Sequence, residues 1–121
     1  MQCREAFRRF VRSCLVTEKA ARYVELSATK RGRDRFLAGL FHEFESTVRP
    51  DAVRGSDYGP IRERPCFVFY EPLGFGVEFP TVREACDRLS SEDGWLIVLR
   101  DGSAGIHRPE ARWDHEMLIV A

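Results

Sequence analysis

The sequence lacks both a long hydrophobic run and an apolar leader segment. No apolar run approaches the ~20 residues that a membrane-spanning helix needs, so we expect no membrane partner. The first ten residues, MQCREAFRRF, carry charges throughout instead of the apolar region of a signal peptide. These two absences predict a cytoplasmic protein.

Closely spaced cysteines are also absent. The four cysteines lie far apart and form no C-x-x-C motif; they are Cys3, Cys14, Cys66 and Cys86. Three of them are in phase with apolar neighbours. We therefore predict four reduced thiols that pack as small hydrophobic side chains. A zinc site is the alternative, but the paired ligand spacing of such sites is missing, and we predict no metal.

Established catalytic motifs are missing as well. The sequence contains no G-x-S-x-G, no P-loop, and no H-x-E followed by C-x-x-C. His42 and Glu43 begin like a zincin motif, but Ser46 stands where the second histidine would be. These absences predict no cofactor and favour a non-enzymatic protein.

Lysine is scarce, and the formal charge is zero because 19 Lys and Arg balance 19 Asp and Glu. Arginine outnumbers lysine 17 to 2, which a GC-rich coding bias would also produce. The two halves differ: residues 1–50 carry an excess of five positive charges and residues 51–121 an excess of five negative charges. This segregation indicates either two interaction surfaces of opposite charge or only solvated helix faces.

What is present suffices for one globular domain. Of the 121 residues, 44% are hydrophobic and 12% aromatic, and a chain of this size buries a real core. We predict a single domain over residues 1–121, with a helical half at 1–50, a linker at 51–65 and a sheet half at 66–121. The linker contains two glycines and two prolines and is long for a compact domain.

Apolar residues recur at helical spacing through the first half of the chain. They predict helices over residues 2–15, 18–26 and 34–48, with arginines on the solvent side of the first helix. Residues 27–33 are predicted to form a polar break before the third helix, and Asp34 is its predicted N-cap.

The second half combines strands with one helix. Residues 66–70 predict a strand, and residues 75–79 either a short strand or a surface loop. A capping box that begins at Thr81 predicts a helix, a β-hairpin follows over 94–108, and 117–120 is the last strand. The predicted fold is α+β: three N-terminal helices followed by a small antiparallel sheet in the order β-(β)-α-β-β-β. We expect three to five strands, one covering helix, and the three-helix unit on the other face or at an edge.

The hairpin is the strongest local signal, since Asp101 and Gly102 separate two apolar runs. A type I′ turn at these two residues would place Trp95 opposite Arg108. The first hairpin strand is apolar on both of its faces. We therefore predict a central strand that is covered on both sides.

Polar side chains near the chain end form the first candidate site. The weak catalytic candidates are His107, His115, Asp114 and Glu116; their spacing matches no recognised metal site. A histidine between carboxylates would act as a general base, with Arg108 or Arg112 holding an anion. The alternative is a polar connection between strands, with His107 half-exposed on the sheet opposite Leu96. Candidate binding residues here are Glu110, Arg112 and Trp113, and Trp113 is either an exposed anchor or a core residue.

The basic helical half is the second candidate site. Cations within residues 4–35 would contact phosphates; they are Arg8, Arg9, Arg12, Lys30, Arg31, Arg33 and Arg35. Against this, acidic residues are interspersed, and a near-neutral charge is untypical of a dedicated nucleic-acid binder. The predicted break at 27–33 is also longer than the turn of a helix-turn-helix. Arg31 and Arg33 remain candidate binding residues.

The leading hypothesis is a non-enzymatic protein-interaction module that uses its charge-segregated surfaces. Immunity, antitoxin and regulatory proteins are examples, and the acidic second half would then bind a basic protein partner such as a nuclease. The first alternative is a small hydrolase or nucleotide-processing enzyme centred on His107 and His115. The second alternative is a nucleic-acid binder that uses the basic helical half.

Overall fold

A computed structural model describes residues 2–39, 44–55, 57–89, 94–108 and 117–120. Its helices are α1 (Cys3–Cys14), α2 (Thr17–Leu26), α3 (Lys30–Gly39) and α4 (Val82–Asp87), and short 3₁₀ helices cover Phe44–Thr47 and Gly59–Ile61. Its strands are β1 (Val53–Gly55), β2 (Cys66–Tyr70), β3 (Gly74–Phe79), β4 (Trp95–Leu99), β5 (Ala104–Arg108) and β6 (Met117–Val120).

The described strands form one antiparallel sheet in the order β1-β6-β5-β4-β2-β3. The α+β prediction, with three N-terminal helices ahead of an antiparallel sheet and one further helix, is confirmed. The sheet has six strands instead of three to five, because the segment predicted as a linker contributes β1. That strand pairs with β6 at the sheet edge, with Val53 opposite Val120.

The sheet is covered on both faces. On one face the helical layer, α1 to α3, packs on β2 and β4, and the ring centroids of Phe7 and Phe69 lie 5.2 Å apart. Phe75 of β3 joins this layer at 5.1 Å from Phe7, so it forms no exposed aromatic patch. On the opposite face, α4 packs on the same sheet through Val82 and Ala85. Burial of apolar surface on both faces, at roughly 25 cal/mol per Å², is the main stabilising contribution.

The hairpin between β4 and β5 has the predicted register but a different turn. Trp95 lies opposite Arg108, as expected. Gly102 has a φ of 75°, and its N–H donates a hydrogen bond to the Leu99 carbonyl at 2.8 Å. This bond closes a turn at Arg100 and Asp101, so the type I′ turn predicted at Asp101 and Gly102 is wrong. The Asp101 carboxylate instead accepts hydrogen bonds from the backbone N–H and the hydroxyl of Ser103, at 3.0 and 2.6 Å. This local side-chain bond favours an Asx-type turn over the type I′ geometry.

The third helix begins earlier than predicted. It starts at Lys30, and Asp34 lies inside it, where its carboxylate pairs with Lys30 at 3.1 Å. The Thr29 hydroxyl caps the helix by accepting a hydrogen bond from the Gly32 N–H at 3.0 Å. A β-carbon at Gly32 would lie 2.1 Å from the Leu26 carbonyl oxygen, so glycine lets α3 follow α2 closely. The break between the two helices is therefore residues 27–29, not 27–33.

Candidate interaction surface

His107 lies in the protein core. It is opposite Leu96 as predicted, but only 1% of its surface is exposed, so the expectation of a half-exposed position is wrong. The reason is that the Phe44–Thr47 turn covers this part of β5, and the ring centroids of His107 and Phe44 lie 4.8 Å apart. A general base must reach the proton that it removes, and this position keeps the imidazole away from solvent.

The other residues of the first candidate site lie outside the described residues. They are Glu110, Arg112, Trp113, Asp114, His115 and Glu116. Within the described ranges, no group of three or more His, Cys, Asp or Glu side chains converges to hold a metal ion.

Three of the four cysteine thiols have a pKa that burial raises. Burial raises the pKa of Cys14 to about 11 and that of Cys66 to about 12. Burial also raises the pKa of Cys3 to about 11, although the nearby charges of Arg33 and Arg4 oppose it. Because the thiolate is the reactive form, these sites are poor nucleophiles at neutral pH.

Cationic side chains dominate the solvent side of the helical layer. Residues 2–39 carry ten Lys and Arg but only four Asp and Glu. Within the described part of the chain, Lys30 with Asp34 is the only ion pair of this layer. Most of the positive charge therefore faces solvent without a described counter-charge.

The α1 arginine row, defined as Arg4, Arg8 and Arg12, is the most regular part of this surface. Its members are four residues apart and are displaced by about 40° at each step, so the row runs from the edge of the buried stripe at Arg4 to the solvent side at Arg12. Like charges at this spacing destabilise a helix by about 0.2–0.5 kcal/mol per pair. Arg4 also stands at the positive end of the helix dipole, where a cation is unfavourable. Helix stability therefore does not explain the row.

The cations of α3 continue this surface. Arg31 and Arg35 are exposed one helical turn apart. Arg33 is half-buried, and its guanidinium donates a hydrogen bond to the Ser27 carbonyl at 3.1 Å, so part of its role is to hold the α2–α3 turn. α1 and α3 pack on each other through Phe7 and Phe36, whose ring centroids lie 5.0 Å apart, so the cations of the two helices belong to one layer.

Three of the described acidic residues around the hairpin form ion pairs. Asp101 pairs with Arg64 at 2.6 Å and Glu63 pairs with Arg83 at 3.1 Å; Glu78 and Arg100 are 3.5 Å apart. Burial opposes ionisation of Asp101, but hydrogen bonds from Ser103 and the Arg64 charge lower its pKa below the usual range. These three carboxylates therefore already have cationic partners within the chain.

A shallow cavity of about 240 Å³ lies beside the Arg64–Asp101 pair. Its walls are Arg64, Pro65, Arg100 and Asp101. The charged groups that line it are already engaged in ion pairs with each other or with Glu78. The cavity therefore offers no uncompensated charge to a small ligand.

Comparisons with known proteins give no information on this surface. No family model, curated protein or solved structure matches the chain. Among the described helices, none combines the length and the apolarity that crossing a membrane requires.

Sequence reasoning found Arg31 and Arg33 but not the way in which they connect to α1. The four-residue spacing of the α1 arginine row is visible in the sequence and is the signal that marks it. The packing of α1 and α3 together on β3 joins segments that are distant in the sequence, and no local pattern contains that information.

Proposed function

We propose that the protein is a non-enzymatic protein-interaction module whose contact surface is the solvent side of the helical layer. The observation that carries this proposal is the excess of exposed cations on α1 and α3 without described counter-charges. Complementary charge speeds association and selects among partners, so the partner presents an acidic surface. Blocking of a partner, as immunity and antitoxin proteins do, is one use of such a module.

The ion pairs around the hairpin support the choice of the basic surface over the acidic half. Glu63, Glu78 and Asp101 already have cationic partners within this chain. A basic partner would have to displace those arginines, whereas an acidic partner meets cations on α1 and α3 that make no described ion pair. We therefore propose an acidic partner instead of the basic one that composition alone favours.

The proposal is tested by capture of partners from a nuclease-treated lysate of the cells that produce the protein. Arg31→Glu with Arg35→Glu reverses two exposed charges on α3. Arg62→Glu with Arg88→Glu reverses two exposed charges on the α4 side and is the matched control. We expect a discrete protein that is retained by the wild type and the control and lost by the α3 variant. Equal retention by all three proteins would overturn the proposal.

A second candidate function, nucleic-acid binding through residues 4–35, is favoured by the connection between α2 and α3. This connection has three residues, which is within the length of the turn in a helix-turn-helix motif. The length of the connection is therefore no longer an argument against nucleic-acid binding. Binding of duplex DNA that weakens steeply with salt, and that Arg31→Gln and Arg35→Gln reduce, would support it. Salt-independent or undetectable binding would exclude it.

A further inference from the structure

We propose that the α1 arginine row docks an acidic helix of the partner protein, one that carries Glu or Asp at four-residue intervals. This inference rests on the proposed function and names the partner's recognition element. An α-helix rises about 1.5 Å per residue, so arginines four residues apart repeat every ~6 Å along α1. Carboxylates at the same interval on a second helix repeat at the same distance, and the two rows match in register.

The chemistry of the row suits carboxylates. A guanidinium presents a planar set of donors that binds a carboxylate through two parallel hydrogen bonds. Arg4 and Arg12 are exposed, Arg8 is half-buried, and none of the three forms a described ion pair. The donors of the row are therefore available to an incoming acidic group.

The surroundings of the row define its limits. Arg9 lies outside it, because its side-chain stem packs over the hairpin turn beside Gly102. α3 packs against α1 through Phe36 and Phe7, so its cations belong to the same helical layer but not to the row. The docked helix therefore lies along α1.

The charge pattern favours an acidic protein over nucleic acid. The chain has a formal charge of zero and a pI of about 6.8, whereas dedicated nucleic-acid binders are basic overall. Glu5 also lies on the solvent side of α1, where it would repel a continuous phosphate backbone. A docked partner helix avoids this repulsion, because it can place a neutral or basic side chain opposite the Glu5 carboxylate.

The test uses the full chain and two synthetic helical peptides of equal composition. One peptide carries its glutamates four residues apart along a single side, and the other spreads them around the helix. Affinity is measured at low salt by fluorescence anisotropy. We expect the first peptide to bind more tightly. Arg8→Gln with Arg12→Gln should weaken that binding about fivefold, while Arg62→Gln with Arg88→Gln should change it by less than about twofold.

Further measurements separate the outcomes. The melting temperature of each variant shows whether a loss of binding reflects unfolding. Equal affinity for the two peptides, an unaffected Arg8/Arg12 variant, or tighter binding of a DNA duplex at the row would overturn the inference. If the α3 variant loses its captured protein while the row variant keeps it, the proposed function stands and the row is excluded. If both variants keep it, both proposals fail.

Discussion

At the scale of single residues, packing against the helical layer constrains positions that the strand pattern leaves open. Gly105 of β5 is one example, since a β-carbon there would lie 2.6 Å from the Phe10 ring and 2.8 Å from the Ile97 carbonyl oxygen. Interiors are packed too densely to absorb such a contact without movement. The absence of a side chain at this position therefore lets α1 lie close to the sheet.

Gly105→Val is expected to destabilise the protein, because the added methyl groups would push the Phe10 ring away from β5. The expected loss in the free energy of unfolding is about 1–3 kcal/mol. Urea unfolding measures it, and Gly55→Val on the edge strand is the control, since a β-carbon at Gly55 meets no atom within 4 Å. A similar loss in both variants would contradict this account of Gly105.

Cys66 predicts a dependence of stability on alkaline pH. Burial raises the pKa of its thiol from 9.0 to about 12, and the neighbouring Cys86 acts in the same direction. The unfolded chain therefore loses this proton at lower pH than the folded protein does. This contribution to stability is fully present below pH 9, the pKa of the unfolded thiol. It is lost as the pH rises through the higher pKa of the folded thiol.

The measurement compares the wild type with Cys66→Ala, since other alkaline groups contribute equally to both. Between about pH 8 and about pH 10, the wild type should lose about 1 kcal/mol more unfolding free energy than the variant. Parallel pH profiles would show that burial of this thiol does not control its ionisation.

At the scale of elements, α1 combines a fully buried apolar stripe with a row of like charges. Its buried residues are Ala6, Phe7, Phe10, Val11 and Cys14. Tertiary packing of such a stripe supplies most of a helix's stability in a folded protein. That packing allows α1 to tolerate the electrostatic cost of the row.

The two ends of the row should respond differently to loss of charge. Arg4→Gln removes one repulsion with Arg8 and an unfavourable charge at the N-terminal end, so we expect stabilisation of about 0.5–1 kcal/mol. Arg12 stands in the last turn, where the helix dipole favours a cation. Arg12→Gln is therefore the matched control and should change stability by less than about 0.5 kcal/mol. Thermal unfolding at low salt measures both, and a lower melting temperature for Arg4→Gln would contradict the argument.

At the scale of the whole molecule, β4 is the centre of the structure and β1 is its periphery. β4 pairs with β2 and β5 and is buried along its whole length between the two helical coverings. β1 has three residues at the sheet edge, and Val53 is 63% exposed. Local opening therefore costs much less at β1 than at β4.

Amide hydrogen exchange should follow this order. We expect the β4 amides to exchange only through global unfolding and those of β1 to exchange orders of magnitude faster through local opening. Exchange measured by mass spectrometry on peptides from each strand checks it. Comparable protection of the two strands would mean that the 51–65 segment is held more firmly than its edge position indicates.

Sequence patterns predicted the elements well where local periodicity decides them. The apolar stripe of α1, the register of Trp95 with Arg108 and the two-sided burial of β4 follow from spacing alone. For the candidate site, Arg31 and Arg33 were identified from composition. The burial of His107 was not, because the turn that covers it is remote in sequence.

The sequence by itself therefore determined the α+β class, the amphipathic helices and the hairpin register, since each depends on patterns of residues that are close together in the chain. The start of α3 at Lys30 also reflects local contacts, the Thr29 cap and the close approach of Gly32 to Leu26, although the pattern of apolar residues did not predict it. Only the tertiary structure decided that β1 joins the sheet beside β6 and that the Phe44–Thr47 turn covers His107. These are contacts between distant segments, and they form only where packing of the two layers brings those segments together.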